Sequence, residues 1–312
     1  MTVIKKIIIF TILMFCMQHA YAKSENSQKI LILGFDGQRW FPYVAMIKSN
    51  RTIKSKDWNR IKAIRNPVAV TQFVSSNDLY VKADDGGIYG YQAKNKSLLP
   101  LGDLTQNKNK YTQLRAADDG LLMVELAEGK SRETELVVYT QVSVDKKDTA
   151  FVTQTIHKQA SAQFHPYQHQ DTLFFAHVSC RAPCQPIIQE VWQHNRITGL
   201  SKQLTLLNAT SYLHSVSADG HSAYISSNQP GYYNIARLDL NSNKLTWLTR
   251  GQFTDSFPSV ATDNHVYFIR RTTDGTHLMR LDDRDKNTAT STPQEIELPK
   301  GVKKIRYLEI SQ

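Results

Sequence analysis

One short pattern recurs along most of this chain, and a chain built from it has few folds open to it. An apolar strand of four or five residues runs into a tight turn, and a second alternating strand follows. The clearest copy is Ala223 to Ser227, the turn Asn228-Gln229-Pro230-Gly231, and Tyr232 to Leu238, after which Asn241-Ser242-Asn243 leads into Lys244 to Thr249. Short alternating runs bounded by turn residues read as a meander of β-strands. The same order returns at His265 to Ile269 with Asp274-Gly275, and at Asp78 to Lys82 with Asp84-Asp85-Gly86. Weaker copies are Ile30 to Leu33 with Asp36-Gly37, and Leu121 to Val124 with Gly129. In the sixth, Leu173 to Ala176, the hairpin turn is Cys180-Arg181-Ala182-Pro183-Cys184.

The six turns fall near residues 37, 86, 129, 182, 231 and 275, a period of about 43 to 53 residues. Four strands per unit at such a period predict an all-β, six-bladed β-propeller with four-stranded antiparallel blades. A further strand precedes several units: His165 to Tyr167, Ser215 to Gly220, and Phe257 to Asp263. Unit one lacks it, whereas the alternating segment Lys303 to Ile310 has no unit of its own. The C-terminal strand is therefore expected to close blade one, which removes the open sheet edges that invite aggregation.

Ser215 to Asp239, reading SVSADGHSAYISSNQPGYYNIARLD, resembles the repeat of TolB-type propellers (WD40-like, PD40 repeats). That repeat has a Ser/Pro-rich inner strand ending in Asp-Gly, then an apolar strand and an aromatic outer hairpin. The resemblance is clearest over residues 161–285 and weaker over 29–156, and it implies a fold more than a function. TolB itself carries an α/β domain ahead of its propeller. Here the first blade starts a few residues after the leader, so contacts made through that domain do not carry over.

The leader sets the address. Lys5 and Lys6 precede a largely apolar run from Ile7 to Met17, and Ala20-Tyr21-Ala22 stands before the polar Lys23 to Ser27. The run is about half the roughly 20 residues a membrane helix needs, so residues 1–22 read as a signal peptide cleaved after Ala22. A linker at 23–28 and a propeller at 29–312 follow. Large residues before Cys16 argue against a lipidated cysteine, and no later run suggests a transmembrane anchor. The mature chain is expected to be periplasmic or secreted. It keeps Cys180 and Cys184, and in an oxidising compartment a close pair favours a disulfide, while a lone C-x3-C is weak as a metal motif.

Chemical signatures are sparse. The sequence has no G-x-S-x-G elbow, phosphate loop or dinucleotide fingerprint. The Asp-Gly pairs lack the oxygen-ligand spacing of a calcium loop and read as turns. With Phe174, Tyr224 and Tyr267 aligned, His165, His214 and Phe257 fall in register on neighbouring inner strands, near the channel mouth. His169 and His177 belong to the same blade as His165. Converging imidazoles of this kind hold a divalent metal in oligogalacturonate lyases, propellers of a similar repeat. The aromatics Phe174, Phe175, Tyr224, Trp247 and Tyr267 are expected to fill the space between blades. One of Tyr232 and Tyr233, which follow a turn, is expected to be exposed.

Charge is uneven. Net charge is +10, or about +8 without Lys5 and Lys6. Lys48, Arg51, Lys54, Lys56, Arg60, Lys62 and Arg65 face Asp57 alone in one stretch, and Lys300, Lys303, Lys304 and Arg306 lie in another. Both belong to blade one if the C-terminal strand closes it. A basic sector of this kind steers an acidic partner. The sequence thus predicts a non-catalytic, monomeric binding or scaffold propeller for an envelope protein or an anionic glycan such as lipopolysaccharide, and not for nucleic acid. Two alternatives stay open: a metal-dependent polysaccharide lyase or hydrolase, and a sensor holding a small ligand in its channel. No cofactor is predicted apart from that divalent metal.

Overall fold

Alternating apolar residues commit each short strand to a sheet whose two faces must both be covered, and here neighbouring sheets cover one another. The computed structural model describes residues 28–48, 51–72, 78–84, 86–101, 113–117, 120–126, 133–143, 149–158, 160–180, 187–284 and 292–311. Blade one begins with β1 (Lys29–Phe35), β2 (Trp40–Met46) and β3 (Asn59–Arg60). Blade two is β4 (Ala69–Gln72), β5 (Leu79–Lys82), β6 (Ile88–Gln92) and β7 (Ser97–Pro100). Blade three is β8 (Leu114–Ala117), β9 (Gly120–Leu126), β10 (Thr134–Ser143) and β11 (Thr149–Lys158). Blade four is β12 (Gln163–His169), β13 (Thr172–Cys180), β14 (Ile188–Asn195) and β15 (Ser201–Gln203). Blade five is β16 (Ser211–Val216), β17 (Ser222–Ser227), β18 (Asn234–Asp239) and β19 (Leu245–Trp247). Blade six is β20 (Thr254–Val260), β21 (His265–Arg271), β22 (Thr276–Asp282) and β23 (Gln294–Ile296). The last strand, β24 (Lys304–Ile310), returns to blade one, giving the sheet order β24-β1-β2-β3.

The six four-stranded antiparallel blades and the C-terminal closure are as the repeat predicts. In the closure Ile30 faces Ile310, Ile32 faces Leu308 and Leu33 faces Tyr307. Side chains alternate across it: Ile30, Ile32, Leu308 and Ile310 pack toward blade six, while Leu31, Leu33 and Tyr307 pack toward blade two. Gln28 is no loose linker residue. Its amide nitrogen donates to the Ser311 carbonyl at 2.9 Å, and its carbonyl oxygen accepts from the Thr262 N–H at 2.6 Å. Residues 23–27 and the leader lie outside the described residues, as do Cys184 and the turn at Gly129. Among the described residues no helix is long and apolar enough to cross a membrane.

Six buried clusters form among the described residues, one at each junction between adjacent blades. Tyr224, Tyr267, Phe174 and Phe175 are core members of these, and Trp247 packs against one of them. Hairpin geometry is visible at Gly231, whose N–H donates to the Asn228 carbonyl at 2.9 Å while its φ is 100°, a backbone state that favours glycine. Leu308 is fully buried at the junction of blades one and six. Leu308→Ala is expected to lower the unfolding free energy by about 2 to 5 kcal/mol in urea titrations. A loss under about 1 kcal/mol would show that β24 is an appendage and not the closure.

Candidate functional site

The inner strands β24, β4, β8, β12, β16 and β20 line the central channel, and four of them break register at the same level. On β12 the ladder skips between Phe164 and Tyr167, on β16 between Leu213 and Ser215, and on β20 between Ser256 and Ser259. Opposite β1, β24 skips from Tyr307 to Ile305. A bulge leaves its extra residue out of the ladder and re-aims the side chain. The residues released are His165, His214, Phe257 and Arg306, and all four line one cavity of about 290 Å³. His165 and Phe257 hold φ values of 53° and 56°, strained for residues with side chains. Gln113 fixes the first of these, accepting the His165 N–H at 2.6 Å.

The register of His165, His214 and Phe257 is the one the sequence predicts. Arg306, assigned by sequence only to the basic stretch, is their fourth counterpart. The pairs Arg306-Tyr307, His165-Pro166, His214-Ser215 and Phe257-Pro258 occupy equivalent places. Gln113 and Arg115, on or next to the short β8, were not picked out by the sequence, because nothing in Leu114 to Ala117 marks that strand as lining the channel.

The cavity has a charged floor. Arg115 Nη1 lies 3.5 Å from Glu309 Oε2, and both side chains are nearly buried. The Thr71 hydroxyl donates to Glu309 Oε1 at 2.8 Å and accepts the Ala116 N–H at 3.0 Å. The Tyr307 phenol donates to Glu309, and burial first of all pushes that phenol well above its ordinary titration range. Blades one, two and three are thus joined by one polar network, in which removing any one partner would leave a nearly buried charge less well satisfied.

Above it stand two neutral imidazoles, their rings 5.6 Å apart. His214 is buried, and among the described residues its Nε2 has no hydrogen-bond partner. His165 Nε2 lies 3.3 Å from Gln113 Nε2, and its ring packs 4.4 Å from that of Tyr212. Tyr212 in turn stacks on Tyr233 at 5.7 Å, leaving Tyr232 as the exposed member of the tyrosine pair.

His169 and His177 do not join this pair. Strand alternation sends His177 into the hairpin opposite Gln163, where it packs 5.4 Å from Trp192. His169 sits at the far end of β12, beside Gly220. Among the described residues no group of three or more His, Cys, Asp or Glu side chains is placed to share a metal ion. The Cys180 to Cys184 pairing lies outside the described side chains.

The basic residues of blade one divide between its two ends. At one end Arg51 pairs with Asp57 at 2.8 Å and Lys54 with Glu297 at 2.9 Å, with Lys48 and Lys56 exposed nearby. Arg60 pairs with Asp36 at 3.0 Å. At the other end, where the inner strands begin, the Asn66 N–H bonds the Trp40 carbonyl and the Lys303 N–H bonds the Phe35 carbonyl. That places Lys62, Arg65, Lys303 and Lys304, all exposed, at the same end as the cavity. Lys300, also exposed, precedes them in the approach to β24. Arg306 stacks on Trp40 at 4.3 Å and donates to the Pro67 carbonyl at 2.5 Å.

Burial, and after it the charge of Arg115, lowers the pKa of His165 from 6.5 to about 3. Burial, then His165 and Arg115, holds His214 well below 6.5. In the unfolded chain both take up protons as pH falls through 6.5, whereas the folded chain resists. The unfolded state then binds more protons, so this contribution to stability is whole above 6.5 and is lost progressively as pH falls toward 3. Thermal melts between about pH 7 and pH 4.5 are expected to show a smaller loss of stability in His165→Gln/His214→Gln than in the parent. Equal pH slopes would contradict these assignments.

No protein-family model and no curated protein matches this chain. Solved structures do. TolB from Acinetobacter baumannii superposes with a TM-score of 0.61 at 13% identity, covering 91% of this chain and 66% of that one. This chain therefore spans a little under two thirds of that protein. A protein assigned to TolB in Agrobacterium tumefaciens gives 0.58 at 12% identity, covering 90% of this chain and 97% of that one. A chain from a nidogen/laminin complex gives 0.61 at 7% identity, with 91% and 98% covered. Identities this low speak to fold alone, and the fold of this chain is that of a TolB-like six-bladed β-propeller.

Proposed function

We propose that this protein is a non-catalytic binding propeller of the periplasm that presents the channel end where its inner strands begin to an acidic envelope partner, protein or glycan. One observation carries the reading. Arg306 stands in the cavity wall and also belongs to the basic group formed with Lys62, Arg65, Lys303 and Lys304, so concavity and positive charge coincide at one end. None of those four lysines and arginines forms an ion pair among the described residues.

Binding sites are typically concave, largely apolar and supplied with a few placed polar groups. Leu33, Pro166, Leu213 and Phe257 supply the apolar wall, and Gln113, His165, His214 and Arg306 the polar groups. The exposed cations add long-range attraction that raises the encounter rate and weakens with salt. The paired Arg51, Lys54 and Arg60 contribute less, because each has a carboxylate beside it.

The test is capture of envelope components by photocrosslinking from the cavity end. Lys62→Glu/Arg65→Glu/Lys303→Glu is expected to reduce specific capture at least about tenfold, and raised salt to reduce it in the parent. Lys48→Glu/Lys56→Glu, at the opposite end, is expected to leave capture intact. Equal loss from both sets, or none from the first, would contradict the reading.

A further inference from the structure

The cavity poses a narrower question than the surface around it: what does its wall fit? Its volume of about 290 Å³ lies at the small end of the range for ligand pockets, so the occupant is the size of an amino acid or a single sugar and not a polymer. Charge decides the next point. The Arg115 and Glu309 side chains largely cancel, which leaves Arg306 as the net charge of the wall. A dication entering here would face the uncompensated Arg306 guanidinium, and Arg115 already disfavours the charged form of both imidazoles. One negative charge balances the site, while a doubly charged phosphate would leave an excess beside Glu309.

Arg306 is built to receive that charge. Its stacking on Trp40 and its bond to the Pro67 carbonyl fix the guanidinium before any ligand arrives, and fixed donors bind a carboxylate at low entropic cost. His214 is a second polar group at this wall. The residue lines this cavity, and among the described residues its buried Nε2 has no hydrogen-bond partner, a state that costs free energy and that a small shift of the wall on binding would relieve. The remaining wall, Leu33, Pro166, Leu213 and Phe257, offers an apolar surface to the body of the ligand.

We infer that the channel cavity binds a compact monocarboxylate with an apolar body, its carboxylate on Arg306 and its body against Phe257 and Leu213, beside His214. This rests on the cavity end being a binding face, but not on the outer cations, which touch only a larger partner.

Calorimetric titration of the full-length purified protein with phenylacetate, phenylacetamide and glucuronate tests it. Phenylacetate is expected to bind, and phenylacetamide, the same shape without the charge, to bind at least about tenfold more weakly. Glucuronate, with the same carboxylate on a polar body, is expected to bind more weakly than phenylacetate. Arg306→Gln is expected to remove the preference for acid over amide, and Phe257→Ala to weaken both. No heat from phenylacetate at about 20 mM, equal binding of acid and amide, a preference for glucuronate, or an unchanged acid preference in Arg306→Gln would each overturn the inference. The acid and amide comparison is made on the parent protein, so it stands even if Arg306→Gln fails to fold. Loss of envelope capture on reversing Lys62, Arg65 and Lys303, with phenylacetate binding intact, supports two separable functions of one face.

Discussion

Everything in this molecule hangs on the pairing of β1 with β24. Five of the six blades are consecutive along the chain, and each could form its own hydrogen bonds in isolation. None could cover both of its faces. The ring shape covers them, and the ring exists only if the first and last strands meet. The closure is correspondingly well made: it alternates large apolar residues toward blades six and two, and Gln28, Ser311 and Thr262 fasten its edge with side-chain hydrogen bonds. The entropic cost of joining distant ends grows only slowly with the length between them, so a strand buried on both faces can offset it.

The same closure builds the candidate site. Arg306 and Glu309 both come from β24, and with Tyr307 they bring to the channel a guanidinium in the cavity wall, a buried carboxylate and the phenol that supports it. Each has partners from other blades: Arg306 from the segment before β4, Glu309 from β4 and β8. The bulges matter as much as the residues. Without them His165, His214 and Phe257 would keep ladder positions, and their side chains would not be re-aimed to the cavity wall. Strained backbone at His165 and Phe257 persists because packing and the Gln113 bond hold it.

Local sequence carried the blades well, since strands, turns and inter-blade aromatics are read within ten or so residues. The alignment that put His165, His214 and Phe257 at one level was also local, resting on the strand that follows each. What the sequence hid was long-range. Arg306 looked like part of a basic run because its strand has no following hairpin to align. Arg115 gained meaning only from Glu309, which is far away in sequence and one network away in space. Lys54 looked unopposed for a similar reason, its carboxylate being Glu297 of blade six's final segment. His169 and His177 were near His165 in sequence, but alternation and strand length carry them to other environments.

The claim on which both fold and site depend is that β24 is an integral strand of blade one. Hydrogen exchange followed by mass spectrometry tests it directly, by comparing amides of residues 29–35 with those of 304–310. The account predicts that both segments exchange together and only through the global opening of the ring, so that their protection rises and falls in step as urea is added. Fast, urea-insensitive exchange of 304–310 beside a protected 29–35 would contradict it.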